Sequence, residues 1–500
     1  MPYKYTKGTC EPGYESVRGM FEQHFLDEIS EFSQICVYVK GIKVIDLYGS
    51  RPKKKNTNLK LKYDNTSLQN IFSSTKVLTS LVVAMLADRG RLKYQQRVVD
   101  IWPEYGQNGK ENTTIAEVMR HEAGIPNWKD SIPATKLYAE AIRNGSVSDI
   151  VAKQKPIHEP GTAFQYHALT RGWIVNEIVR RVDEKGRTIG QFLHEEVTIP
   201  LNLNQELYIG TPPEEHHRIA PLNAELQNDY LFNLKNLALP RFLGGGRVPA
   251  NTLGLRVILV LGLSAISLGI NLNNIFSVLR FVGVDIGSRS RQQKDDELLI
   301  ENEVKSNASD DGKKKPKSKP FQAILVDDDD EEEEEDDSSS SGAVHGLFNH
   351  AQVRMGETPS ANGHASARAL AKIAASIVGG GQINSNNYRI LSENGCKEAQ
   401  NDLYERAMID LPILKFKTNF CNAGWNFFKD TRQNYIGWMG YGGSICQWHA
   451  GEEIGIGYTM NLLELSVLNA RAQDLQYEVL KCAKRLSGSS GEVINQGSRL

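Results

Sequence analysis

The stretch from Asn70 to Ser80, N-I-F-S-S-T-K-V-L-T-S, decides how the rest of the chain is read. From Lys76 to Ala87 the run KVLTSLVVAMLA is helix-forming and is stopped by Arg89-Gly90; Val77, Leu78, Leu81, Val82 and Met85 fall on one buried face. Ser73 opens that helix. Residues three apart share a helix face, so the Lys76 ammonium can reach the Ser73 hydroxyl. The N–H groups and dipole of the helix start also favour an anionic transition state there. The competing reading is an ordinary N-cap, a position that serine favours.

The same S-x-x-K spacing recurs at Ser50-Arg51-Pro52-Lys53. Ser50 ends a predicted strand, and Pro52 prevents a helix from placing Lys53 over it. This copy is a decoy, and context outside the motif has to settle the role of Ser73.

A 500-residue chain that is 40% apolar and 24% charged is globular, with enough material for one large or two medium domains. A net charge of -2 gives no reason to expect a nucleic-acid partner. Cys10, Cys36, Cys396, Cys421, Cys446 and Cys482 are far apart and read as free thiols, and no His, Cys or carboxylate cluster has metal-ligand spacing. Neither a metal nor another cofactor is expected. Glu11, Glu15, Glu22, Asp27 and Glu28 leave no apolar core for a signal peptide, so a reducing, cytoplasmic setting is the default expectation.

Along the chain, Val17, Met20, Phe21, Phe25 and Ile29 recur at helical spacing between Glu11 and Ser30. QICVYVKGIKVIDLYGS (34–50) reads as an antiparallel hairpin around Lys40-Gly41. A short helix is expected from Thr113 to His121, and EPGTAFQYHALTRGWIVNEIVRRV (159–182) reads as a turn, an extended piece and a long helix. YIGWMGYGGSICQWHAGEEIGIGYTMNLL (435–463) reads as two or three strands with close backbone approaches. A helix from Val467 to Arg485 follows. The pattern predicts an α+β fold with an antiparallel sheet and a helical middle.

Residues 246–345 look like an insertion between two parts of one hydrolase domain, 1–245 and 346–490. Between Arg256 and Arg280 lie 23 residues without a charge, long enough for a membrane span by length alone. GKKKPKSKP (312–320) and eleven consecutive acids, Asp327 to Asp337, follow in a stretch too polar to bury a core. The expectation is an apolar element over 253–284, packed on the domain, and a disordered charged loop over 285–342. Peripheral membrane contact through 253–284 stays open.

Five ordered segments carry a family resemblance: SSTK (73–76), RHEAGIP (120–126), PGTAFQYHA (160–168), PSANGHASARALAKIAASIVGGG (359–381) and GWMGYGGS (437–444). Together they resemble the serine β-lactamase-like superfamily, which includes class C β-lactamases, penicillin-binding proteins, related esterases and eukaryotic β-lactamase-like proteins. The resemblance implies the β-lactamase/transpeptidase-like fold over roughly 1–245 and 346–485, and acyl transfer through a serine ester. It implies Ser73 as nucleophile, Lys76 as its base and Tyr166 as a second acid–base group. The oxyanion hole would use the N–H groups of Ser73 and Tyr441, the residue after Trp438-Met439-Gly440.

Two positions depart from the pattern. The asparagine of the family's Y-x-N motif falls on Ala168, removing an amide that usually orients the lysine. The lactamase K-T-G falls on Trp438-Met439-Gly440, removing the cation for a lactam carboxylate and resembling the esterases of the superfamily. A small-molecule or peptide acyl substrate, neutral at this position, is therefore expected. Tyr166 and Trp438 also admit plain packing roles, and His121 and His364 are expected to be structural. A catalytically weak fold serving as a binding or assembly module remains the alternative function, with Ala168 as its sign.

Overall fold

The computed structural model describes residues 3–52, 61–126, 131–223, 324–325, 344–382, 388–407, 417–429, 433–463 and 470–488. Nine strands form one antiparallel sheet: β1 (Thr6–Cys10), β2 (Phe32–Val39), β3 (Ile42–Ser50), β4 (Tyr404–Ala407), β5 (Lys417–Phe420), β6 (Asn426–Phe428), β7 (Tyr435–Met439), β8 (Ile445–His449) and β9 (Ile454–Met460). Their order is β1-β3-β2-β9-β8-β7-β6-β5-β4. The two ends of the chain meet where β2 pairs with β9, Ile35 opposite Tyr458. The predicted hairpin is β2–β3, and the glycine-rich stretch supplies three strands, β7 to β9.

Alternation along β9 explains why helices cover both faces of the sheet. Gly455 and Gly457 face the helix Ala367–Val378; a Cβ on either would collide with its backbone at Ala375 or Ala367. Alanines on that helix meet the glycines, so backbone and helix approach closely. Tyr458 points the other way, with its ring 6.5 Å from that of Phe21 on α1 (Glu15–Leu26), and the C-terminal helix Ala470–Leu486 lies beside α1.

Between the sheet and a helical layer runs α2 (Thr75–Asp88). The sequence predicts one buried face, but every residue from Thr75 to Leu86 is buried. A helix enclosed on all sides must be apolar all round, and Val83 and Leu86 fill positions that an outward face would have left polar. Each such side chain stabilises by about 1.5–3 kcal/mol. Lys76 is the charged exception. The helical layer includes α3 (Ile115–Met119), with Thr114 and Glu117 in a reciprocal capping box, and α4 (Thr170–Val182).

The apolar element predicted over 253–284 lies outside the described residues, as does the loop 285–342 except for Ile324–Leu325, which pairs in parallel with Ile132–Pro133. Residues 224–245, read from sequence as part of the hydrolase domain, also lie outside. The flanks of this stretch meet: Leu222 N–H donates to Asn349 Oδ1 at 2.9 Å, and Asn349 Nδ2 donates to the Leu222 carbonyl at 3.2 Å. No helix among the described residues is long and apolar enough to cross a membrane. All six cysteines are free thiols.

Candidate active site

Ser73 sits on a single 3-10 turn, Phe72–Ser74, between the short strand Gln69–Asn70 and α2. The turn is tied at both ends. Asn70 Oδ1 accepts from Phe72 N–H at 2.8 Å, and Ile71 N–H donates to the Gly363 carbonyl at 2.9 Å. Phe72 has φ +41°, in the left-handed region that costs a non-glycine residue roughly 1–2 kcal/mol. Its ring is held edge-on by Phe348 at 5.2 Å and Tyr441 at 5.5 Å. Ser73 is consequently turned outward and is partly exposed, while Ser74 and Thr75 are buried.

Three side chains converge on this turn. Ser73 Oγ lies 2.6 Å from the Tyr166 hydroxyl and 3.3 Å from Lys76 Nζ. Lys76 donates to the backbone carbonyls of Ala168, at 2.8 Å, and Ser360, at 2.9 Å. The amine lies 4.8 Å from the centre of the Tyr166 ring and 5.8 Å from that of Trp438. Burial in these surroundings, with a lesser push from the charge of Arg171, drives the Lys76 ammonium well below its usual range. Burial also pushes the Tyr166 phenol up to about 12, against opposing pulls from the Ser73 hydrogen bond and Arg171.

The wall behind Tyr166 is aromatic. Trp438, Phe420, Phe164 and His121 lie at ring separations of 4.9–5.9 Å from Tyr166 or one another. The Trp438 indole N–H points away from the serine, to the Gly424 carbonyl at 3.0 Å, so this residue presents ring surface to the site. His121 Nδ1 accepts from the backbone N–H of His167 at 3.0 Å, and His364 Nδ1 lies 2.8 Å from the Thr211 hydroxyl. Both histidines are fully buried and hold loops together, and burial drives both well below their usual range.

Gly440 touches the serine turn directly. A Cβ there would collide with the Ile71 carbonyl and Ser444 Oγ, so only glycine lets the end of β7 lie against the backbone before Phe72. Ser444 Oγ fastens the same contact by donating to the Ile71 carbonyl at 2.6 Å, and it lies 3.2 Å from Ser74 Oγ. The N–H of Tyr441 follows, with no acceptor among the described residues.

With this geometry in view, comparison with known proteins is direct. The Beta-lactamase family model matches residues 27–274. A penicillin-binding protein homologue from Caulobacter crescentus superimposes with a TM-score of 0.65 at 23% identity, covering 95% of this chain and 99% of that one. The chain belongs to the serine β-lactamase-like superfamily. A family VIII carboxylesterase aligns equally well, with a TM-score of 0.65 at 22% identity over 95% of this chain and 99% of that one. The esterase/beta-lactamase LipL of Mycobacterium tuberculosis is 28% identical over 208 residues, 42% of this chain and 46% of LipL. The chain thus spans less than half the length of the curated relatives it matches.

Within this superfamily member, the five sequence segments meet around one serine. SSTK supplies the turn, RHEAGIP the His121 support, PGTAFQYHA the tyrosine and the Ala168 carbonyl, residues 359–381 the Ser360 carbonyl, and GWMGYGGS the wall and the Tyr441 N–H. The sequence reading missed Arg171, Phe348, Ser444 and both carbonyl acceptors of Lys76. Backbone carbonyls carry no residue signature, and Ser360 is 284 positions from Lys76. Arg171 had a signal: it is a charge at helical spacing from the apolar Ile174, Val175 and Ile178.

Proposed function

We propose that the chain is a serine hydrolase that cleaves an ester, amide or peptide through an acyl-enzyme on Ser73. One observation carries this reading: Lys76 is buried without a carboxylate partner among the described residues, while its two shorter hydrogen bonds go to carbonyl oxygens. A neutral amine has two N–H bonds, and those carbonyls use both. Its lone pair then faces Ser73 Oγ, as a general base requires. The Ser73 O–H bond breaks, the proton passes to Lys76 Nζ, and Oγ bonds to the substrate carbonyl carbon. Tyr166, on the same oxygen, gives its proton to the leaving group and the proton held by Lys76 restores the phenol; water then attacks the acyl carbon, passes a proton to the same pair, and Ser73 Oγ leaves and is reprotonated.

The Ser73 and Tyr441 N–H groups are the proposed donors to the oxyanion. Trp438 offers a neutral aromatic surface where a lactam carboxylate would need a cation, which favours esters over β-lactams. The similarity to the esterase/beta-lactamase LipL and to a family VIII carboxylesterase supports ester hydrolysis, and the preference over lactams rests on Trp438. The test compares purified protein on a nitrophenyl ester of a short acid and on a chromogenic cephalosporin. Faster ester turnover that disappears in Ser73→Ala supports the reading; faster lactam turnover, or ester turnover indifferent to Ser73, refutes it.

A further inference from the structure

Arg171, in the first turn of α4, is fully buried. Its Nη2 donates to Ser80 Oγ at 2.7 Å and lies 3.8 Å from Met119 Sδ; Nε and Nη1 have no hydrogen-bond partner among the described residues. No described carboxylate pairs with it. The nearest acid in sequence to the aromatic wall, Glu122, is engaged by Arg406 at 3.1 Å and lies 3.6 Å from Arg120. A buried guanidinium without a counter-charge is costly. Such costs persist where function needs them.

Its position suggests the need. Ser80 follows Lys76 by one turn on the same face of α2, so the guanidinium is bound to that helix one turn after the residue that carries the amine. We infer that Arg171 is a positioning residue whose fixed charge keeps the Lys76–Tyr166 pair one proton short at neutral pH, leaving a base to accept the Ser73 proton. The inference rests on the Ser73 hydrolase reading. Removing one proton from the pair, whether from the ammonium or the phenol, relieves repulsion with Arg171, so the same charge favours either form of the base.

The other titratable groups around the amine do not supply this field. His121 and His167 are buried and neutral, His167 being held down to about 3 and His121 also well below its ordinary value. The Cys421 thiol is pushed up to about 12 by burial and stays protonated. Arg171 itself is lowered only to about 10, so it keeps its charge across the neutral range.

The experiment is the pH dependence of kcat/KM for ester hydrolysis in full-length wild type, Arg171→Met and Arg171→Lys. In Arg171→Met the acid limb should move up by at least about one pH unit, lowering the rate at pH 6 about tenfold while the rate at pH 9 recovers. Arg171→Lys should keep the limb near its wild-type position. A uniform loss at every pH, or an unmoved limb, overturns the inference by showing a structural role. If Arg171→Met does not fold, Arg171→Gln makes the same test. In parallel, NMR titration of the Lys76 side chain, assigned with Lys76→Met, reads the coupling without turnover. A titration that Arg171→Met does not shift refutes the inference even in an active enzyme. A shifted titration in a protein that hydrolyses no ester supports the coupling while refuting the hydrolase reading.

Discussion

Lys76 Nζ donates to the backbone carbonyl of Ala168 at 2.8 Å. Ala168 is the position where the superfamily's Y-x-N motif leads one to expect an orienting side-chain amide, and here the main chain of the same residue holds the lysine. The loss of the asparagine therefore does not leave the amine loose. Ala168→Asn should change kcat/KM for a short-chain ester by less than about threefold, because the lysine's acceptors are already in place. A gain of a hundredfold would show that the backbone contact is a poor substitute.

Lys76→Met should lower ester hydrolysis by at least about a hundredfold, the usual scale of acid–base assistance. The loss should fall on kcat with KM little changed, since the lysine is covered by protein and has no direct hold on the substrate. Steady-state kinetics at pH 8 would show this; a fully active variant would remove the lysine from the mechanism.

Gly440→Ala tests the contact between β7 and the serine turn. The added Cβ meets the Ile71 carbonyl and Ser444 Oγ, so the backbone must separate, carrying the Tyr441 N–H away from Ser73. The expected result is a fall in kcat of about a hundredfold or more, the scale of a lost oxyanion donor. Circular dichroism would check that the fold survives.

Trp438→Lys should not produce a β-lactamase. The new ammonium would enter an aromatic wall close to Lys76 with no described carboxylate to balance it, and the ring contacts with Tyr166, Phe420 and His121 would be lost. Both ester and cephalosporin turnover should fall relative to wild type. An increase in cephalosporin hydrolysis would contradict the reading of Trp438 as apolar surface.

Stability should decline in acid. Burial lowers the folded-state values of His24 and His167 to about 3, and those of His121 and His364 also lie below the ordinary 6.5. Below pH 6.5 the unfolded chain therefore binds protons that the folded chain refuses, so this contribution is present above 6.5 and is lost as pH falls. Glu122 and Glu357 act in the opposite sense: both are raised to about 7 by burial, and their contribution is lost as pH rises from 4.5 toward 7. His216 and His449 are lowered by burial as well, so the histidines outweigh the two glutamates and predict a urea midpoint that drops between pH 6.5 and 4.5; a rising midpoint would contradict it.

Much of this arrangement was legible in the sequence where residue type carries the signal. The hairpin announced itself by β-branched residues around Lys40-Gly41, and Pro52 identified Ser50 as the wrong serine. The three C-terminal strands were visible because the glycines that admit the helix Ala367–Val378 interrupt an apolar alternation. The sequence reading did not find β1 or β4 to β6, which are short and polar in part and owe their pairing to distant partners. It also underestimated the enclosure of α2, since a helical period shows which face is apolar but not that a second layer will cover the opposite face.

The most direct test of the central claim uses a fluorophosphonate, which bonds covalently to an activated serine, followed by peptide mass spectrometry of the labelled protein. Labelling is expected at Ser73, abolished in Ser73→Ala and intact in Ser50→Ala, because only Ser73 has Tyr166 at 2.6 Å and Lys76 at 3.3 Å. Labelling at another serine, or equal labelling of the two variants, would contradict the account.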